Sequence, residues 1–195
     1  MKKNLITSIL MTIATTILLG LIYPLVVTGL AQVLFKDKAN GQLIVQNGQV
    51  IGSRIIGQAF TGSAYFHSRP SSAGAGYDAA NSNGSQLGPT NHALIDRVKA
   101  DVASNQAGHS GLVPIDLVTT SGSGLDPHIT PAAAEFQLGR VAQERGVPPD
   151  ELQQLVAKHT EGRQIGFLGE PRVNVLELNL ELDRRFPTKK EAKVD

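Results

Sequence analysis

The chain has 195 residues, 41% of them hydrophobic and 18% charged, and its formal net charge is +1. That length holds one ordinary domain plus an accessory segment, and the near-neutral balance lacks the basic footprint of a nucleic-acid binder. With no cysteine in the sequence, disulfide frameworks, thiol catalysis and cysteine-ligated zinc are excluded, while the redox compartment stays open.

The first element is apolar. From Asn4 to Phe35, NLITSILMTIATTILLGLIYPLVVTGLAQVLF, no side chain is charged, and about 20 residues suffice for a membrane-spanning helix. A cleaved signal peptide competes, because Lys2 and Lys3 make a basic start and Gly29-Leu30-Ala31 resembles a small-x-small cleavage site. Signal cores run roughly 7 to 15 residues, so the longer run favours an uncleaved anchor. Lys2 and Lys3 favour an inside N-terminus, but Lys36, Lys38 and Arg54 on the other flank weaken the charge count. Tyr23-Pro24 marks an interface or a kink. Ser8, Thr12, Thr16, Gly20, Pro24 and Thr28 recur every fourth residue, and such a spacing drifts by only about 40° per step around a helix. A strip of small residues lets a neighbouring helix approach closely, so these six are the expected packing face in the membrane.

Past the anchor, QLIVQNGQVIGSRIIGQAF carries Asn47-Gly48 between apolar runs and predicts a hairpin. TGSAYFHSRPSSAGAGYDAANSNGSQLGPTN follows, dense in Gly, Ser and Asn. It reads as a long irregular segment, an ordered loop pinned by Tyr65, Phe66 and Tyr77 rather than a linker. In NHALIDRVKADVAS, helical spacing of Leu94, Ile95, Val98 and Val102 behind Asn91 predicts a capped helix. LVPIDLVTT reads as a short β-branched strand. Thr130 as cap and Pro131 at the first position predict a helix through Arg145, ended by Gly146. VPPDELQQLVAKHT begins another helix, and VNVLELNLELDRRF a third, with Asn174 and Glu177 at capping-box spacing. The tail PTKKEAKVD is polar and expected to fray.

The densest chemistry lies in LVTTSGSGLDPHITPAAAEFQLGRVA, where Ser121, Ser123, Asp126 and His128 supply the residue types of a serine hydrolase. The G-x-S-x-G elbow is missing, and one short loop seldom reproduces the convergent geometry of a triad. Asp126-Pro127 initiates a turn and Thr130 serves better as a cap, so a shaped turn feeding a helix is the expected reading, with no catalytic residue. SGSG near a helix start suits an anion, yet no lysine-bearing phosphate loop accompanies it. His67, His92, His109, His128 and His159 are scattered without metal-ligand spacing, so no metal site is expected. Arg69, Arg140, Arg163 and Arg172 pair with acids or meet a partner. A membrane-anchored serine hydrolase or a ligand-binding module stays the alternative reading.

GQAFTGSAYFHSRPSSAGAGYDAANSNGSQLGPTN, LVTTSGSGLDPHITPAAAEFQLGRVA and NVLELNLELD resemble the C subunit of the bacterial Kdp-type potassium-transporting ATPase. The resemblance runs from the anchor to about Phe186, leaving the terminal KKEAKVD outside. It implies a subunit of an ATP-driven potassium uptake pump rather than a free enzyme. The implied partners are a channel-like potassium-selecting subunit, a P-type ATP-hydrolysing subunit and the lipid bilayer, with no nucleic acid. This chain alone is expected to bind no cofactor, potassium and ATP being handled by the complex, and it lacks the D-K-T-G phosphorylation motif of P-type pumps. The implied layout is an inner-membrane protein with residues 1–7 cytoplasmic, an anchor helix over 8–34, and an extracytoplasmic α+β domain over 35–195 ending in the polar tail. Within it, Ser121, Ser123, Asp126 and His128 are the expected partner-surface loop. Assembly of the pump and covering of its potassium entrance are the expected roles.

Overall fold

Helix α1 (Lys2–Ile17) begins at the two lysines and runs through a π-helical turn (Leu18–Ile22) into α2 (Tyr23–Leu34). The coordinates are a computed structural model, which describes residues 1–107 and 111–188. The segment Lys2–Leu34 is 33 residues long and has none of its apolar window buried. At 1.5 Å per residue it measures roughly 50 Å, more than the bilayer core of about 30 Å requires. The π turn has a local cause. Pro24 lacks an amide proton and its ring collides with the carbonyl four residues back, so the helix widens just before it. Tyr23 N accordingly donates to Leu18 O, five residues back.

The chain divides into two units, Met1–Ile51 and Gly52–Asp195. The first holds the long helix, the short α3 (Lys36–Ala39) and most of a hairpin of β1 (Leu43–Gln46) and β2 (Gln49–Ser53). Asn47 and Gly48 both adopt positive φ, 52° and 77°, as a two-residue turn of this hand needs.

The second unit is α+β. Residues 61–91 form neither helix nor strand, and α4 (His92–Gln106) follows, its first turn capped by Asn91 accepting from Ala93 N. The predicted strand LVPIDLVTT is instead a 3-10 turn, Ile115–Leu117. Pro114 O accepts from Leu117 N, and the Asp116 carboxylate accepts from Thr130 N at 2.7 Å, so packing overrides β-branched propensity. Strand β3 (His128–Ile129) leads into α5 (Pro131–Arg145), α6 (Pro149–Lys158), β4 (Thr160–Glu161), β5 (Arg172–Asn174) and α7 (Val175–Arg185). Thr130 Oγ1 accepts from Ala133 N at 3.2 Å, Gly146 closes α5 at φ 67°, and Asn174 accepts from Glu177 N. All three were expected.

The small antiparallel sheet has the order β3-β5-β4, with Ile129 opposite Val173 and Thr160 opposite the same Val173. Ile129, Val141, Leu152, Leu155, Val173, Val175, Leu178 and Leu182 join Phe66 in the core between this sheet and α5, α6 and α7. Residues 108–110, with His109 among them, and residues 189–195 lie outside the described residues.

Candidate functional site

Asp126-Pro127-His128 builds its own corner. Asp126 Oδ1 accepts from His128 N at 3.0 Å and lies 3.3 Å from His128 Nδ1, while Oδ2 lies 3.3 Å from Arg69 Nη1. Arg69 spends its remaining nitrogens on Thr119, at 3.3 Å to the carbonyl and 3.2 Å to the hydroxyl. Burial raises the Asp126 carboxyl, but the side-chain and backbone hydrogen bonds from His128, with the His128 and Arg69 charges, hold it below the ordinary carboxylate value. These groups face a cleft of about 290 Å³ that is also lined by Asp116, Glu170 and Arg172.

The serines belong to a different neighbourhood. Ser123 Oγ accepts from Leu125 N at 3.1 Å, and its carbonyl accepts from Asn83 N and Ser82 Oγ, both at 3.0 Å. Ser121 Oγ lies 3.5 Å from Ser123 Oγ. Ser121 lines a second, polar cleft of about 450 Å³ with Ser82–Gln86. Asp126 thus orients an imidazole, yet among the described residues neither serine hydroxyl bonds to it. The expected four-residue surface loop is one chain segment whose two halves do separate jobs.

The loop is stapled to the irregular segment and to the residues just before it. Ser71 Oγ of that segment donates to Gly124 O at 2.6 Å, and Gly57 N, ahead of it, donates to Leu125 O at 2.7 Å. Gly124 is indispensable there, since its φ is 67° and a Cβ would stand 2.5 Å from Asn83 O. Tyr77 Oη donates to the Arg69 carbonyl, closing the turn that presents Arg69 to Asp126. Burial, the largest influence, raises the Tyr77 phenol.

A second set of clamps holds residues 62–67, and composition alone had not marked most of it. Buried Asn179 of α7 accepts from Phe66 N and donates to Phe66 O, both at 2.9 Å, as a neighbouring strand would. Gln137 of α5 does the same for His67, at 2.7 and 3.2 Å. Arg140 donates to Ser63 O and Tyr65 O. Arg145, its side chain fully buried, donates to Ala64 O, Phe186 O and Asp183 and stacks 4.8 Å over the Tyr65 ring. The sequence held one usable signal: Gln137 and Arg145 fall on the same helical face as Ala134 and Val141, polar residues where the core face demands apolar ones. Tyr65 and Phe66 pin the segment as expected, Phe66 with no exposed surface.

Burial, then the Arg140 charge, lowers His67 below the ordinary imidazole value against the raising effect of the Gly62 carbonyl. Among the described residues no three His, Asp or Glu side chains gather as a metal would need. Arg163 and Arg172 pair with Glu170 and Glu161 at 2.7 and 2.8 Å.

Ser8, Thr12, Thr16, Gly20, Pro24 and Thr28 are all exposed on the long helix. Ser8 and Thr12 hydroxyls donate to the carbonyls of Asn4 and Ser8 at 2.8 and 2.9 Å, so both are satisfied within the helix. The π turn lies between Thr16 and Pro24, and its smaller angular advance per residue counters the drift of the strip.

Fold and site together define a chain with, among the described residues, one helix long and apolar enough to cross a membrane, and an α+β unit whose polar clusters hold loops. The sequence pattern described as KdpC, K+-transporting ATPase, c chain, matches residues 5–184, and the chain belongs to that family. A Potassium-transporting ATPase KdpC subunit of Koribacter versatilis is 70% identical over 188 residues, 96% of this chain and 97% of the relative. Those of Acidobacterium capsulatum and Rhodospirillum rubrum are 58% and 57% identical, each covering 98% of the relative and 93% and 96% of this chain. The chain is therefore a component of a potassium-transporting ATPase, and as a subunit it has companions.

Proposed function

We propose that this chain is a non-catalytic accessory subunit, which assembles and stabilises an ATP-driven potassium uptake pump and covers its extracytoplasmic potassium entrance. The carrying observation is the bonding of the Ser/Gly/Asp/His loop: the Ser123 oxygens and the Gly124 carbonyl bond neighbouring backbone and hydroxyls, Asp126 bonds Arg69 and His128, and neither serine hydroxyl bonds to the imidazole. ATP hydrolysis then belongs to a P-type companion and potassium selection to a channel-like one. The apolar helix is the inner-membrane anchor, N-terminus inside, with Thr16 and Gly20 facing a companion helix, and the α+β unit lies outside the cytoplasm. Lys2 and Lys3 support that orientation. Neither potassium nor ATP needs a site on this chain.

Mild-detergent purification through a tag on this chain, followed by mass spectrometry, should recover the two companions. Protease added to intact spheroplasts should digest the α+β unit. Intact chain that emerges without companions refutes the assembly role, and cleavage only after lysis refutes the orientation.

A further inference from the structure

Asp116 is a nearly buried carboxylate with one oxygen unused. It keeps 7% of its surface and stands in the 3-10 turn Ile115–Leu117, where Oδ2 accepts from Thr130 N at 2.7 Å. Among the described residues Asp116 enters no ion pair, and Oδ1 has no hydrogen-bond partner. A buried acid is ordinarily paired, because a lone charge taken out of water is costly.

Asp116 lines the cleft of about 290 Å³ together with Arg69, Asp126, His128, Glu170 and Arg172. Those charges are matched already: Arg69 to Asp126 at 3.3 Å, Glu170 to Arg163 at 2.7 Å and Arg172 to Glu161 at 2.8 Å. The unmatched charge of the cleft is therefore the Asp116 carboxylate, and its complement is a cation. The space is many times what one water needs, so it admits a side chain, and Ile129 and Pro171 give it apolar wall. A bare potassium ion is served by several oxygens at once, whereas the other carboxylates here are held by arginines. A guanidinium fork grips two oxygens side by side, and the Thr130 amide occupies one of them. A lysine needs a single oxygen for its ammonium and apolar surface for its stem.

We infer that this cleft receives a lysine side chain of a companion subunit, its ammonium donating to Asp116 Oδ1 and its methylenes lying against Ile129 and Pro171. The inference rests on the assembling role proposed for the chain and names the chemistry of one contact in it. Removing one member of such a charge pair weakens the contact by about tenfold or more.

The test uses the whole complex. Native membranes are treated with a water-soluble carbodiimide, which joins a carboxylate to a touching amine as an amide with loss of one water, and the joined peptides are identified by mass. The Asp116 peptide joined to a lysine of a companion subunit is expected. Its joining to a lysine of a second copy of this chain or to an aminophospholipid, or no joining at Asp116, overturns the proposal. In parallel, Asp116→Asn is purified through a tag on a companion subunit at several salt concentrations. Asparagine keeps an oxygen for Thr130 N, so the chain should reach the membrane at parental level with unchanged protease resistance. Its recovery with companions should fall about tenfold at low salt and depend less steeply on salt than the parent's. If the variant proves less resistant, the carbodiimide result on the parental chain decides. Companions recovered with the parent, and equally and with the same salt dependence with a fully resistant Asp116→Asn, overturn this contact alone. Companions that fail to recover even the parental chain overturn the assembling role and this contact with it.

Discussion

Asn179 is the most exacting test of how the irregular segment is held. Its carboxamide supplies one acceptor and one donor to Phe66, each at 2.9 Å, at a site where Asn179 keeps 1% of its surface and Phe66 none. Asn179→Ala leaves a buried N–H and a buried C=O unpaired, at about 1–3 kcal/mol each, so the loss is roughly 2–6 kcal/mol. Against a usual total of about 5–15 kcal/mol this is a large share. Asn179→Asp separates the two bonds. An ionised carboxylate still accepts from Phe66 N but faces Phe66 O without a proton, whereas a protonated one donates to it. Burial and that carbonyl therefore raise the introduced carboxyl above its unfolded value near 3.9. The sign follows: the variant is close to the parent below that unfolded value and loses stability as pH rises through the raised folded value. Urea denaturation of the full-length chain in mild detergent at pH 4 and pH 7, each against the parent, reads both effects. An Ala variant within about 0.5 kcal/mol of the parent, or an Asp penalty equal at the two pH values, refutes the clamp.

Gly124→Ala should cost well over the about 1–2 kcal/mol of left-handed strain, because its Cβ would also stand 2.5 Å from Asn83 O; a denaturation midpoint equal to the parent's would contradict this. Thr130→Ala should lower stability by about 1 kcal/mol through loss of the cap to Ala133 N, and an unchanged midpoint and slope argue against it. Because Asp126 is held below its ordinary value, its contribution is present above the unfolded carboxylate value and lost as pH falls through the folded one. Asp126→Asn should accordingly destabilise at pH 7 and flatten the acid limb of the stability profile, and an identical acid limb would remove the proposed His128 and Arg69 bonds. Ser121→Ala and Ser123→Ala should each support potassium-limited growth, and a large loss of turnover in a normally assembled pump would restore a catalytic reading.

Signals carried by adjacent residues were readable in advance. Thr130-Pro131, Asn91, Gly146, Asn47-Gly48 and the Asn174 to Glu177 spacing all act within a few residues, and each sits where local chemistry placed it. The strands of the small sheet were not readable, for β3 and β4 have two residues each and their pairing joins Ile129 and Thr160 to Val173 across the chain. LVPIDLVTT misled because burial of Leu117 and Val118 and the bond from Thr130 N to Asp116 hold a 3-10 turn there, leaving the β-branched Ile115 70% exposed. In the site loop, the turn and cap were legible from Asp126-Pro127 and Thr130. Its bonds to Arg69, Ser71 and Asn83 were not, since those partners lie about 40 to 60 positions away and follow no period.

The central claim is that this chain holds the pump together without performing its chemistry. The direct measurement is potassium-stimulated ATP hydrolysis by complexes purified through a companion subunit, from cells with and without this chain, matched for the ATP-hydrolysing subunit. The account predicts that without it little intact complex is recovered and stimulated hydrolysis is lost, while Ser121→Ala, Ser123→Ala and His128→Gln complexes retain parental turnover. Full recovery and full stimulated hydrolysis in the absence of this chain would contradict it.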